Sequence, residues 1–84
     1  SNAGTIDGAE GGAIHIGYGG IINGDITNTG ILNNWDSNNN NNAAVVVDNG
    51  TINGKLLNSG TINGRDENPG ILVQSGTITN GIVN

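Results

Sequence analysis

The sequence predicts an all-β fold, a parallel β-helix or β-solenoid whose rungs of about 26 residues stack on one another. Three observations carry that expectation. The phrase Gly-Thr-Ile-Asn-Gly begins at Gly50 and again at Gly60, so the chain repeats itself at close range. Aliphatic residues of successive repeats fall into columns: Ile22, Ile52 and Ile78; Ile26, Leu56 and Ile82; Ile6, Leu32 and Ile62. Glycine and asparagine then exchange at fixed places between the columns, as Gly24, Gly54 and Asn80 and as Gly8, Asn34 and Gly64.

Taken in chain order, residues 4–8 open a half-line that matches the phrases starting at Gly30 and Gly60. The first full line runs through Ile14, Ile16, Ile22, Ile26 and Leu32. Members of one line sit an even number of residues apart, so one face of an extended chain carries them. The parity turns Ile14 and Ile16 inward and His15 outward, with His15 beside Val45 and Ile71. The repeat distance is 26 residues from Gly4 to Gly30 and from Gly50 to Gly76, but 30 from Gly20 to Gly50. The four additional residues fall in the asparagine run 38–42, which reads as a mobile loop. In the second and third lines, Val46 and Leu72 take the inward parity while Val45, Val47, Ile71 and Val73 face out. Such a strand is apolar on both sides, as one buried between subunits would be. Gly24, Gly54 and Asn80 mark a corner expected to hold a residue of positive φ, because glycine and asparagine adopt it most readily. Asn28, Asn58 and Asn84 form a further column, and stacked asparagines can build an amide ladder along a solenoid.

Composition agrees with this architecture. The 84 residues include 16 glycines, no cysteine, no phenylalanine and no methionine, and Tyr18 and Trp35 are the only aromatics. An ordinary core of interlocking large side chains cannot be built from that supply, and no disulfide can staple the chain. Ile, Leu and Val make up most of the apolar content and favour pleated strands. A net charge of -5, with Lys55 and Arg65 as the basic side chains, excludes nucleic acid and anionic membrane surfaces as partners. No run approaches transmembrane length. The opening Ser1-Asn2-Ala3 resembles the trio left when a protease removes an affinity tag, which sets residues 1–3 apart from one repeat region over 4–84. The chain therefore reads as a piece of a longer protein, and its start is silent about export.

The phrases "NSGTING", "NGDITNTG", "AAVVVDNGTING" and "GILVQSGTITNGIVN" resemble the repeats of bacterial autotransporter passenger regions and related large surface adhesins. The resemblance covers nearly all of the chain after Ala3. It implies an exported β-helix, displayed at the bacterial cell surface or outside the cell, that acts as a stalk or adhesive surface and is not an enzyme. It also implies a host or matrix surface receptor as partner. The membrane-anchoring β-barrel of that family has no counterpart in these residues.

Candidate sites are few. His15 has no Ser, Cys or second ligand beside it in the repeat, so neither a triad nor a metal set is legible. Glu10, Asp36 and Asp66 each follow a matched aliphatic residue by four positions and, with Glu67, would form a column of like charge at one corner. Such a column either splays into water or collects a cation such as calcium; the glycine spacing of calcium-binding β-rolls is missing, so a solvated acidic edge is the expectation. Thr77 and Thr79 are matched by Ile21 with Asn23 and by Thr51 with Asn53, so no threonine array repeats along the coil. Lys55 reads as the ion-pair partner of Asp25 one rung away. No cofactor is expected. A carbohydrate-active enzyme fragment and a cation-stabilised solenoid module stand as the alternatives. Three short rungs leave apolar ends, so the chain is expected to self-associate. A homotrimer of chains intertwined around one axis is favoured, with a dimer or end-to-end stacking as the runner-up.

Overall fold

The structure, a computed structural model, describes residues 1–9, 11–35, 43–65 and 68–84. Among the described residues the chain is all-β, without helix. Its strands are β1 (Thr5–Gly8), β2 (Ile14–Ile16), β3 (Ile21–Ile22), β4 (Ile26–Asn28), β5 (Ile31–Asn34), β6 (Val45–Asp48), β7 (Thr51–Ile52), β8 (Leu56–Asn58), β9 (Thr61–Asn63), β10 (Ile71–Gln74), β11 (Thr77–Ile78) and β12 (Ile82–Val83). They form four three-stranded sheets, β1-β5-β9, β2-β6-β10, β3-β7-β11 and β4-β8-β12. All pairing is parallel, and each strand pairs with the one four places along the chain. The chain therefore visits the four sheets in rotation and stacks on itself, an arrangement compatible with a β-solenoid. The shortest extent of the molecule, 16 Å, is the height of a stack three strands deep.

The aliphatic columns hold in register: Ile6↔Leu32↔Ile62, Ile22↔Ile52↔Ile78 and Ile26↔Leu56↔Ile82. Partners are 26 residues apart at Thr5↔Ile31 and Thr51↔Thr77, 30 at Ile21↔Thr51 and 31 at Ile14↔Val45. Core packing groups Leu32, Ala44, Val45 and Leu56 in one cluster and Ile16, Val47 and Ile52 in another, with Ile14, Ile26 and Ile78 packed against both. This core is thin, and its middle layer is its only completely covered part: Leu32, Val47, Ile52 and Leu56 are 0 % exposed.

Two expectations need correction. His15 pairs with Val46, not Val45, and Ile16 pairs with Val47. Between the Ile16 and Ile22 positions the first turn holds one residue more than the second turn does between Val47 and Ile52. The surplus forms a turn closed by Gly20 N–H donating to the Gly17 carbonyl (2.9 Å), with Tyr18 at its tip. A one-residue slip exchanges the two faces of a strand. Val45, Val47 and Ile71 accordingly belong to the interior, and the outer face of this sheet carries His15, Val46 and Leu72. The strand is apolar on both faces, as expected, with the faces interchanged; Val46 is buried at 3 % exposure yet lies in neither core cluster.

The left-handed corner also lies elsewhere. Positive φ occurs at Gly19 (77°), Asn49 (58°) and Ser75 (52°), a column immediately ahead of Gly20, Gly50 and Gly76. Of the six glycine and asparagine positions expected to hold it, only Gly24 does (124°). Gly54 is required for a different reason: a Cβ there would run into the Gly24 carbonyl and the Asp25 carboxylate beneath it. Small residues are demanded by the rung below, because stacked corners bring backbone onto backbone.

Candidate functional site

Three rows of polar side chains climb the stack, and each begins as a property of one strand position repeated in register. The innermost row is Asn2, Asn28, Asn58 and Asn84. Each amide donates to the next: Asn2 Nδ2 to Asn28 Oδ1 (2.9 Å), Asn28 Nδ2 to Asn58 Oδ1 (2.8 Å) and Asn58 Nδ2 to Asn84 Oδ1 (2.7 Å). The same nitrogens also donate to the carbonyl two residues ahead, at Gly4, Gly30 and Gly60, so every member closes an Asn-x-Gly corner. Asn28 is 0 % exposed, and its additional donation to the Thr61 carbonyl (3.2 Å) ties one rung to the next. The amide column read from the sequence is therefore present and extends one place further, to Asn2.

The second row runs along the outer face of β1-β5-β9. Asn63 Nδ2 donates to Asn33 Oδ1, and Asn33 Nδ2 to the Asp7 carboxylate, each at 2.8 Å. Its donors point toward the first rung, opposite to those of the inner row. Asp7, which can only accept when ionised, ends it. The Asn33 amide, and after it the Trp35 side chain, hold the Asp7 carboxyl below its ordinary value. Trp35 stands beside this row, half exposed, with the Arg65 guanidinium 5.7 Å from its ring centroid and Arg65 Nη1 donating to its carbonyl (3.0 Å). The indole is thus fixed by a carboxylate at one side and a cation over its ring. The third row pairs Asn53 Nδ2 with Asn23 Oδ1 (2.8 Å) on the β3-β7-β11 side.

The expected site residues divide as follows. Glu10, Asp36, Asp66 and Glu67, and the run 38–42, lie outside the described residues. Among the described residues no group of three or more His, Cys, Asp or Glu could hold a metal ion. His15 faces outward and exposed, as its parity required. Lys55 does meet Asp25, but through its backbone N–H, which donates to Asp25 Oδ1 (2.7 Å); the ammonium is not the partner. Thr77 stacks on Thr51 and Thr51 on Ile21, so the threonine array fails as expected. The Asp7, Trp35 and Arg65 grouping escaped the sequence reading. Its signal was available: Asn33 with Asn63 and Trp35 with Arg65 share the 30-residue spacing of the repeat.

No family model, curated protein or solved structure matches this chain.

Proposed function

We propose that the chain is a structural and adhesive segment of an exported bacterial surface protein of the autotransporter passenger type, a β-solenoid with a basic turn of 26 residues that serves as stalk and interaction surface and carries no catalysis. The observation that supports it most is the buried Asn2-Asn28-Asn58-Asn84 row. A continuous amide ladder stiffens a coil along its axis without needing a thick core, which is what a projecting stalk requires. Short polar side chains on the outer faces, with Tyr18 (91 % exposed) and Trp35 (53 % exposed) standing out from them, suit contact with a host or matrix surface receptor. Copies of the chain are the other partner. Of the assemblies raised by the sequence, an intertwined homotrimer and end-to-end stacking, the second fits the pairing better, because each strand already pairs with its own chain's next turn.

The reading is tested on intact cells of the source bacterium with antibody raised against the folded chain. Labelling without permeabilisation, lost after protease shaving, supports it. Labelling only after the envelope is opened refutes it.

A further inference from the structure

Every sheet runs in the same order from first turn to last, so each end of the stack presents four parallel edges: β1 to β4 at one end and β9 to β12 at the other. Such edges are not self-complementary, but each matches the opposite end of another copy. The inward columns show what the ends lack. Leu32, Ile52, Val47 and Leu56 in the middle turn are 0 % exposed, while column mates at the ends, Ile6 (37 %), Ile22 (37 %), Val73 (42 %) and Ile82 (46 %), stand open. A cavity lined by Ile6, Ile14, Ile22 and Ile26 opens at the first end, and one lined by Ile62, Ile71 and Asn84 at the last.

We infer that a second copy of this chain covers these ends by stacking head to tail, continuing the parallel register from the last turn of one copy into the first turn of the next. The columns meet in kind: Ile62 under Ile6, Ile78 under Ile22, Ile82 under Ile26. Asn84 of the lower copy takes the place that Asn2 holds beneath Asn28, donating to the same Oδ1, so residues 1–3 move aside. Gly4 shows the register most sharply. A Cβ on Gly30 would strike the Gly4 carbonyl and one on Gly60 the Gly30 carbonyl, whereas one on Gly4 meets nothing within 4 Å. In the stack Gly4 lies over Gly60 of the lower copy and becomes as confined as its column mates. Asp7 limits the junction. Its carboxylate meets Asn63 of the lower copy, whose amide already donates downward to Asn33, so neither group supplies a proton.

The experiment is sedimentation velocity on the whole chain from low micromolar to millimolar concentration. Head-to-tail edges do not close, so the expected result is a series of species whose mean mass keeps rising with concentration. A constant one-chain mass, or a plateau at two or three chains, overturns the inference. Two variants then separate the ends. Gly4→Ala blocks the first end and Ile82→Lys the last, so each alone is expected to stay monomeric with an unchanged circular dichroism spectrum. Mixed, they retain one intact pair of ends and are expected to give a 1:1 complex with no further growth. Growth of Gly4→Ala alone equal to the wild type's places the contact elsewhere and refutes the inference. Asp7→Asn supplies the missing donor and is expected to shift the association to at least several-fold lower concentration. An unchanged or weakened association of that variant, with its fold intact, counts against the register proposed.

Discussion

Replacing Asn28 with leucine removes polarity from the centre of the coil while nearly keeping the side chain's volume, and its cost can be worked from the structure. Asn28 accepts from Asn2 and donates to Asn58 Oδ1, the Gly30 carbonyl and the Thr61 carbonyl, with donor to acceptor distances of 2.9, 2.8, 3.1 and 3.2 Å. Four such bonds at about 1 kcal/mol each give about 4 kcal/mol, and leaving buried carbonyls without a donor adds to that. Burial of a leucine offsets about 1.5–2 kcal/mol. The net loss is about 2–4 kcal/mol, a large part of the total stability of roughly 4–13 kcal/mol for a chain this long. Urea melts followed by circular dichroism, at concentrations low enough to keep the chain monomeric, measure it. Asn33→Leu is the control. It breaks two bonds of the outer row, where water replaces them, and is expected to cost under about 1 kcal/mol. Equal effects of the two substitutions would refute the claim that the inner ladder holds the stack.

Three further outcomes are expected. Ser75→Gly relieves a non-glycine φ of 52° and is expected to stabilise by about 1 kcal/mol, while Ser75→Val destabilises; equal melting midpoints would mean that the corner relaxes without strain. Gly54→Ala and Gly54→Asn are both expected to destabilise by about 1–3 kcal/mol, since any Cβ meets the rung below; a mild asparagine variant beside a damaging alanine would restore the positive-φ explanation. Asp7 has a folded pKa below its ordinary 3.8, so its contribution is present above that value and lost as pH falls through the lower folded value. Acid melts should therefore show a wild-type loss of stability below about pH 4 that Asp7→Asn reduces, and parallel curves for the two would contradict it.

The columns were legible because stacking forces like residues into register: Ile22, Ile52 and Ile78 announce themselves by spacing alone, and so does the Asn28 row. The face of β2, β6 and β10 was not. One surplus residue near Tyr18 shifts Ile16 onto Val47, and with aliphatic residues on both faces nothing in the sequence flags the slip. The corner was half legible. Glycine was rightly read as a backbone requirement, but at Gly54 the cause is the carbonyl beneath, a relation between residues 30 apart that no local pattern displays. The outer cluster of Asp7, Trp35 and Arg65 likewise arises only when turns are superposed, since its members are of different chemical types and share no phrase.

The central claim is that successive turns lie on one another in parallel register, and nuclear Overhauser contacts of the isotope-labelled monomer test it most directly. Cross-strand contacts linking Ile22 to Ile52, Ile52 to Ile78 and Leu32 to Ile62 are expected, with amide-to-amide contacts along the Asn28, Asn58 and Asn84 side chains. Contacts pairing neighbouring strands as antiparallel hairpins, such as residues 5–8 with 14–16, would contradict the account.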